Sequence, residues 1–432
     1  MTGIDVAVIG AGVAGLAAAG ELRKKGLRVE VYEARDRIGG RVLTHRDPRF
    51  PLPLELGAEF IHGEAAETER ILREAGLSSL DVAGDHWRAD RGTIQPAEDF
   101  WGRVDRILKR IDPEGEDRSF NDFLARRRPG GASGTAARAA AREFVTGFHA
   151  ADPAQLSILS IAPEGGEDPS ESASRLGRVV EGYDRVPAWL ARDLEGGLHL
   201  GTPVSEIAWE RGRAGLTLGS GKRVTARAAV ITVPIGVLQA PPDEPGGLRF
   251  HPHPPRLRET LGLLAMGSVV RMVLGFRELP WRDREELDRL GFLHTGDGVF
   301  RVWWTAYPRR LPVLVAWSGG PPAEDLARKG PAEIRAAALR ALAGQLGISR
   351  RRVESRLEEV WSHDWDADPH SRGAYSYARV GGSEAARALA RPVEGTLFFA
   401  GEATDEQGRT GTVEGAIATG LRAARQVGRA LR

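Results

Sequence analysis

The sequence predicts an α/β protein: a doubly wound parallel sheet joined to a discontinuous second unit of mixed or antiparallel sheet and helices. Three stretches carry this prediction. Residues 4–9 (IDVAVI), a glycine-rich loop at 10–15, a helix of small and apolar residues from Ala14 to Lys25 ended by Gly26, and RVEVYE at 28–33 make a βαβ unit. Short alternating strands follow at 204–210, 214–218 and 223–233, separated by turns such as Gly219-Ser220-Gly221. Strand patterns at 268–276, 299–306 and 312–317, bulked by Trp303, Trp304 and Trp317, define a second sheet, and Ile334, Ala338, Leu342 and Leu346 mark an amphipathic helix over 332–347.

The remaining segments are assigned around these. Residues 66–110 read as largely helical, with loops near Gly76, Gly92 and Pro96; 113–135, including Arg126-Arg127-Arg128-Pro129-Gly130-Gly131, as a solvated loop; 136–150 as helix; and 163–172 as loop. The Pro-rich connector 241–255 contains His251-Pro252-His253, which reads as exposed loop rather than metal site because no further ligands cluster with it. Residues 395–400 form one more strand before a final helix. The expected partition is 1–80, 175–250 and 390–432 for the nucleotide-binding unit, and 81–174 and 251–389 for the substrate unit.

Composition narrows the function. Of 432 residues, 41% are hydrophobic, enough for a substantial core, and 60 basic against 59 acidic side chains give a net charge of +1. That balance offers no footprint for nucleic acid or a membrane surface. There is no cysteine, so disulfides, thiolate metal sites, cysteine nucleophiles and a cysteine-linked cofactor are excluded. The longest uncharged run, Val6 to Gly20, is too short and glycine-rich to span a membrane, and no basic n-region precedes it. The expectation is a soluble cytoplasmic protein. Lysine is scarce: Lys24, Lys25, Lys109, Lys222 and Lys329 are all there are.

Gly10-Ala11-Gly12-Val13-Ala14-Gly15 is a GxGxxG motif between strand and helix. Gly10 allows the tight turn, Gly12 lets a pyrophosphate approach the backbone, and Gly15 lets helix and strand pack closely. The helix N-terminus offers N–H donors and a favourable dipole to phosphate. Glu33, 18 residues after Gly15, ends the second strand where a carboxylate accepts from ribose hydroxyls. Glu33-Ala34-Arg35-Asp36-Arg37-Ile38-Gly39-Gly40-Arg41 adds a glycine pair and arginines, of which Arg41 is placed to reach the pyrophosphate by a charge-assisted contact.

With these residues the start of the chain resembles the FAD-binding fingerprint of the flavin amine oxidase superfamily, which includes monoamine oxidases, polyamine oxidases, histone lysine demethylases and L-amino-acid oxidases. The similarity is strong at both ends and loose over 85–200. It implies a Rossmann-like FAD domain, and the lack of any cysteine in 405–411 argues for non-covalent FAD. Leu56-Gly57-Ala58-Glu59-Phe60-Ile61-His62-Gly63 resembles the segment that runs beside the flavin ring, with Gly57 and Ala58 against the isoalloxazine and Glu59 or His62 facing a substrate ammonium. Its His-Gly ending is most like animal-type polyamine oxidases. Thr202-Pro203-Val204 is similar to the strand start whose valine backbone meets the adenine. By the same resemblance, Trp365-Asp366-Ala367-Asp368-Pro369 and Arg372 to Tyr377 place Trp365 near the flavin and Tyr375 as one wall of the amine pocket. Tyr377 alternates to the other face.

Leu397 to Thr404 and Gly411-Thr412-Val413-Glu414-Gly415-Ala416 are the second specific match. They imply Glu402 at the ribityl-phosphate region, Val413 at the cofactor, and a helix N-terminus near Thr412 aimed at the flavin edge, where its dipole stabilises the reduced ring. Thr412 stands where monoamine oxidases carry their second cage tyrosine and demethylases carry threonine.

Met266 to Phe276 resembles the strand that carries the family's lysine, tied to reoxidation by oxygen; here the position is Arg271. Arginine stays charged and cannot act as a base, though it donates hydrogen bonds. The reading is oxidation of a polyamine or secondary amine to an imine by hydride transfer to flavin N5, with O2 or another acceptor reoxidising the flavin and no metal involved. Alternatives on the same fold are an L-amino-acid oxidase, with an arginine such as Arg271 on the substrate carboxylate, and a desaturase; a non-catalytic flavoprotein scaffold is the third.

Overall fold

A computed structural model describes residues 3–97, 99–126, 130–162, 175–296 and 298–432. The loop expected at 163–172 and Arg127-Arg128-Pro129 lie outside these residues.

Ile4–Ile9 is buried almost throughout and sits in the middle of the first sheet. It pairs in parallel with Val29–Tyr32 on one side and Arg223–Ile231 on the other, and Leu198–His199 extends the parallel row beyond Val29–Tyr32. Arg223–Ile231 belongs to two further ladders. Its first half pairs antiparallel with Arg213–Leu218, which pairs with Val204–Glu210, while its last three residues pair in parallel with Leu397–Phe399. Parallel strands covered on both faces read as continuous apolar runs, which is why 4–9 and 228–231 carry no alternation.

The helix Val13–Lys24 covers this sheet with Ala17, Ala18 and Ala19 buried. Small residues let the last helix, Val413–Ala430, lie close against it: a Cβ on Gly420 would stand 2.2 Å from the Ala14 carbonyl oxygen. Leu16, Leu22, Ile417 and Val427 fill the layer between them. On the other face Leu257, Leu261, Leu264, Ala385 and Leu389 join the core of the first sheet, although their segments fall within the range expected for the substrate unit.

The second sheet is seven-stranded, in the order Leu357–Trp361, Val269–Phe276, Val313–Gly319, Val302–Thr305, Leu290–Thr295, Asp85–Asp90, Thr93–Pro96. All its pairs are antiparallel except Asp85–Asp90 with Leu290–Thr295. Helix Pro331–Leu346 backs it, with Pro331 in its first turn, where a missing N–H costs nothing, and Gly347 in the left-handed conformation past its end. Trp303, Leu274, Leu314 and Leu342 are fully buried between them.

Two expectations are corrected. Residues 66–110 are helical only at Ala66–Ala75 and Phe100–Leu108; between them Asp85–Asp90 and Thr93–Pro96 form a hairpin turned by Arg91 and Gly92, both at positive φ. Edge pairing with Leu290–Thr295, remote in sequence, overrides the local helical pattern there. Within 113–135, Phe120–Ala125 is a helix capped by the Ser119 hydroxyl, with Phe120 fully buried, and a further helix begins at Gly131. That helix, Gly131–Glu143, runs into a π-helical turn at Phe144–Phe148.

Two small ladders complete the frame. Leu264–Gly267 pairs with Tyr375–Ala378, setting Tyr375 opposite Gly267. Leu176–Val179 pairs with both Phe60–His62 and Ser79–Asp81.

Candidate active site

Between the two sheets lies a cavity of about 2340 Å³. Small-molecule pockets run to roughly 1,000 Å³, so this space has room for a large cofactor and a substrate together. One arm is made of glycine turns and carboxylates from the first sheet; the other is walled by aromatic rings of the second.

In the glycine arm, Gly10 has φ +104°, and a Cβ on Gly15 would stand 2.0 Å from the Gly10 carbonyl oxygen, so only glycine lets the loop close on the helix. A Cβ on Gly12 would meet nothing within 4 Å because the cavity opens in front of it. The helix that follows has no side-chain cap and no acidic residue in its first turn, so its free N–H groups face the cavity without a protein acceptor. Glu33 is buried at the strand end, accepting from the backbone N–H of Ala11 at 2.7 Å and of Arg35 at 2.9 Å.

Arg35 spends its guanidinium on Asp368 and Ser371, at 2.8 and 2.9 Å, tying the 363–371 loop to the glycine turn. Burial raises the Asp368 carboxyl, but His363 and Arg35 outweigh it and hold the group well below the usual carboxylate range. Gly40 brings the next turn to within contact of Gly12. Arg41 and Glu402 form an ion pair at 2.8 Å, with Arg41 also donating to the Ala374 carbonyl and Glu402 accepting from Ser376 Oγ at 2.7 Å and Gly411 N at 2.9 Å. Val204 lines the arm at the start of its strand.

At the junction of the arms, Gly57 runs so close to Arg41 that a Cβ would sit 2.0 Å from its carbonyl oxygen, and Gly57 and Ala58 form the cavity wall. Trp365 donates to the Leu56 carbonyl at 3.0 Å, holding the same segment from behind. Thr412 caps the last helix: its hydroxyl accepts from Gly415 N at 2.9 Å and donates to the Arg409 carbonyl. Val413 begins that helix at the cavity wall.

Tyr375 stands between the arms. Its ring lies against Gly411, where a Cβ would approach it to 3.1 Å, and its hydroxyl donates to the Phe148 carbonyl at 2.6 Å. Burial and the Glu402 charge push its phenol far up, so it stays neutral. Phe148 also meets His62 edge-on at 5.4 Å, which sets His62 on the Tyr375 side of the cavity. His62 Nδ1 is buried and without a partner among the described residues, and burial holds the imidazole down to about 4.

Arg271 is 4% exposed, in the middle of Val269–Phe276, with its guanidinium in the cavity wall rather than in solvent. It donates to the Gly57 carbonyl at 3.1 Å and to Glu59, and lies over the Trp304 ring at 5.4 Å. Glu59 also accepts from Arg178 Nε at 2.6 Å and Trp304 Nε1 at 3.0 Å. Burial pushes the Glu59 carboxyl up, but the two guanidiniums prevail and keep it below its ordinary range. Glu59 was expected to meet a substrate ammonium; both its oxygens are instead taken by protein donors. It clamps Arg271 and Arg178, leaving one net positive charge in this wall.

Beyond Trp304 the wall continues through Phe292, His86, His294 and Phe100, stacked in near-parallel planes.

The family model for flavin-containing amine oxidoreductases matches residues 13–428. The chain belongs to that family. Polyamine oxidase 3 of Oryza sativa subsp. japonica is 31% identical over an alignment covering 97% of this chain and 88% of the relative. Lysine-specific histone demethylase 1 homolog 2 of Arabidopsis thaliana is 29% identical, covering 98% of this chain and 58% of that protein. Putrescine oxidase, solved bound to putrescine, superposes with a TM-score of 0.82 at 23% identity, with 99% of each chain covered. Cyclohexylamine oxidase from Brevibacterium oxydans IH-35A gives 0.83 at 22% identity, again covering 99% of each chain, and both show a shared fold.

As an amine oxidoreductase the chain uses a flavin, and the glycine arm fits one: uncapped helix N–H groups suit phosphate, and the open front of Gly12 leaves it room. Among the described residues no helix is long and apolar enough to cross a membrane, and no group of His, Asp and Glu is arranged to hold a metal. Sequence reasoning missed Arg178, Ser376, Phe148, His86, His294 and Glu143 as site residues. Only the π-helical turn after Glu143 marks this stretch as unusual, and that is a structural signal.

Proposed function

We propose that this amine oxidoreductase binds FAD non-covalently and oxidises a polyamine or secondary amine. The Tyr375–Phe148–His62 arrangement carries the reading: a neutral aromatic face beside an unpartnered, uncharged imidazole. A bound flavin supplies two-electron acceptance from the amine's α-carbon. The protein's part is to bind, orient and keep water out. Glu33 offers its remaining lone pairs to ribose hydroxyls, and the first-helix N–H groups take the pyrophosphate. Arg41 and Glu402, locked together, fix the Gly57–Ala58 segment and the Gly411 turn, which would line the site of a bound flavin. The absence of cysteine supports a non-covalent cofactor.

For the substrate, the ring of Tyr375 attracts the amine, and the His62 ring lines the same end of the cavity. Because His62 is held down to about 4, it is a neutral acceptor at physiological pH and does not repel an ammonium on arrival. Arg271 is a fixed donor to water in the wall beside Gly57. Arg271 and Arg178 spend donors on Glu59 and on the Gly57, Thr305 and Tyr307 carbonyls, which argues against a substrate carboxylate at this point. A chain without disulfides needs no oxidising compartment, and we place it in the cytoplasm.

The deciding experiment is anaerobic. The flavin band near ~450 nm is followed while spermine, spermidine, benzylamine and single amino acids are added in turn. Bleaching by a polyamine is the expected result; bleaching by an amino acid alone, or by nothing, overturns the reading. Recovery on admitting oxygen identifies O2 as acceptor, and slow recovery assigns reoxidation to another acceptor and to Arg271.

A further inference from the structure

The outer wall of the aromatic arm holds a chain of polar groups that the chemistry above does not use. His86 and Phe292 are register neighbours on paired parallel strands, and His294 lies two residues beyond Phe292, so all three side chains share one face. His294 Nδ1 lies 3.4 Å from a Glu143 carboxylate oxygen, and its Nε2 lies 3.2 Å from His86 Nδ1. Phe100 stacks on His294 at 5.3 Å and Phe292 on His86 at 4.8 Å, closing the imidazole pair between two phenyl rings. Glu143 is the last residue before the π-helical turn that also supplies Phe148, so the chain and the Tyr375 end are built on one element.

The hydrogen-bond directions follow from donor inventory. An ionised carboxylate only accepts, so His294 Nδ1 carries its proton toward Glu143 and Nε2 is left as an acceptor. His86 Nδ1 then donates to it, which leaves His86 Nε2 as a bare lone pair. His86 lines the cavity, and burial together with the neighbouring His294 holds its imidazole down to about 4, so the ring is neutral. The site therefore presents an acceptor backed by a negative charge, flanked by aromatic faces. An anion would meet acceptors only, and an alkyl end would leave the lone pair unsatisfied.

We propose that Glu143, His294 and His86 form a docking site for a second, protonated nitrogen of a diamine or polyamine substrate, its N–H donating to His86 Nε2. The proposal rests on the amine-oxidising reading for the nitrogen that reacts at the other end of the cavity. The charge of Glu143 is transmitted through the two imidazoles, and no proton leaves the substrate.

The test separates binding from turnover. A diamine and a monoamine of equal chain length, both without hydrogen on their α-carbons, are titrated calorimetrically into the flavin-loaded enzyme. Wild type is compared with Glu143→Gln and with His86→Phe, which keeps the ring stack. The diamine Kd is expected to rise about 10-fold in each variant while the monoamine Kd stays unchanged, the scale of one hydrogen bond to a charged group. Equal losses for both amines, no loss, or no preference of the wild type for the diamine overturns the proposal. Turnover of an ordinary monoamine by the same three proteins is measured alongside. Its absence in the wild type sinks the amine-oxidation reading and leaves the docking result standing by itself.

Discussion

The two arms of the cavity are built on different principles. The glycine arm presents backbone: Gly10, Gly12 and Gly15 set loop geometry, a helix end offers donors, and Glu33 and Glu402 are held by main-chain N–H groups. The aromatic arm presents side chains gathered from distant strands and helices: Glu59 with Arg178, Arg271 and Trp304, and Glu143 with His294 and His86. A backbone site demands fixed spacing within one stretch of chain. A side-chain site demands only that the fold bring suitable groups together.

The contrast can be broken most sharply at Gly15. Gly15→Ala drives a methyl to 2.0 Å from the Gly10 carbonyl oxygen, and the loop must open. The purified variant is expected to lose its flavin band; full retention of flavin would show that the arm tolerates side chains and that the contrast is false. Glu59→Gln comes next. It leaves Arg178 and Arg271 buried against a neutral amide, a loss of about 3–5 kcal/mol for a broken buried pair. Denaturant unfolding should show that loss, where a purely substrate-binding Glu59 would instead raise the polyamine KM and leave stability intact.

Glu55 sharpens the boundary between the arms. Burial pushes its carboxyl up to about 7, against the Thr44 hydroxyl and Tyr183 N–H that bind it. A carboxyl raised above its unfolded value stabilises the fold fully below about pH 4.5, and that contribution fades as pH climbs to about 7. On the order of 3 kcal/mol is at stake. Stability measured across that window should fall in the wild type and stay flatter in Glu55→Gln; parallel curves would remove Glu55 as the cause. The smallest effect is expected at Tyr375→Phe, which keeps the ring and deletes the bond to the Phe148 carbonyl, about 1 kcal/mol. A loss in kcat/KM of less than about 10-fold fits a wall; a loss of several orders of magnitude would make the hydroxyl itself part of the chemistry.

Legibility followed the same division. The strand–glycine–helix unit, the position of Glu33, the Gly57–Ala58 segment and the helix beginning after Thr412 could all be read locally, because each is a run of residues whose spacing sets the backbone. The hairpin at 85–96 could not: its first strand is held by Leu290–Thr295, and nothing within 66–110 encodes that partner. Glu59 shows the limit for a single residue. Its place beside Gly57 was legible, but its role depended on Arg178, which arrives on Leu176–Val179 through pairing with Phe60–His62.

What the sequence determined by itself is therefore the parallel sheet, the glycine turns and the family. Those rest on local steric rules: glycine where a carbonyl approaches, β-branched residues where strands are buried, a capping threonine where a helix starts. What only the tertiary structure decided is the charge and the acceptors of the aromatic arm. Whether Glu59 is free or clamped, and whether His86 ends a relay or stands alone, depends on contacts between residues over 100 positions apart. Low-dielectric burial makes each such contact count, and no local pattern records it.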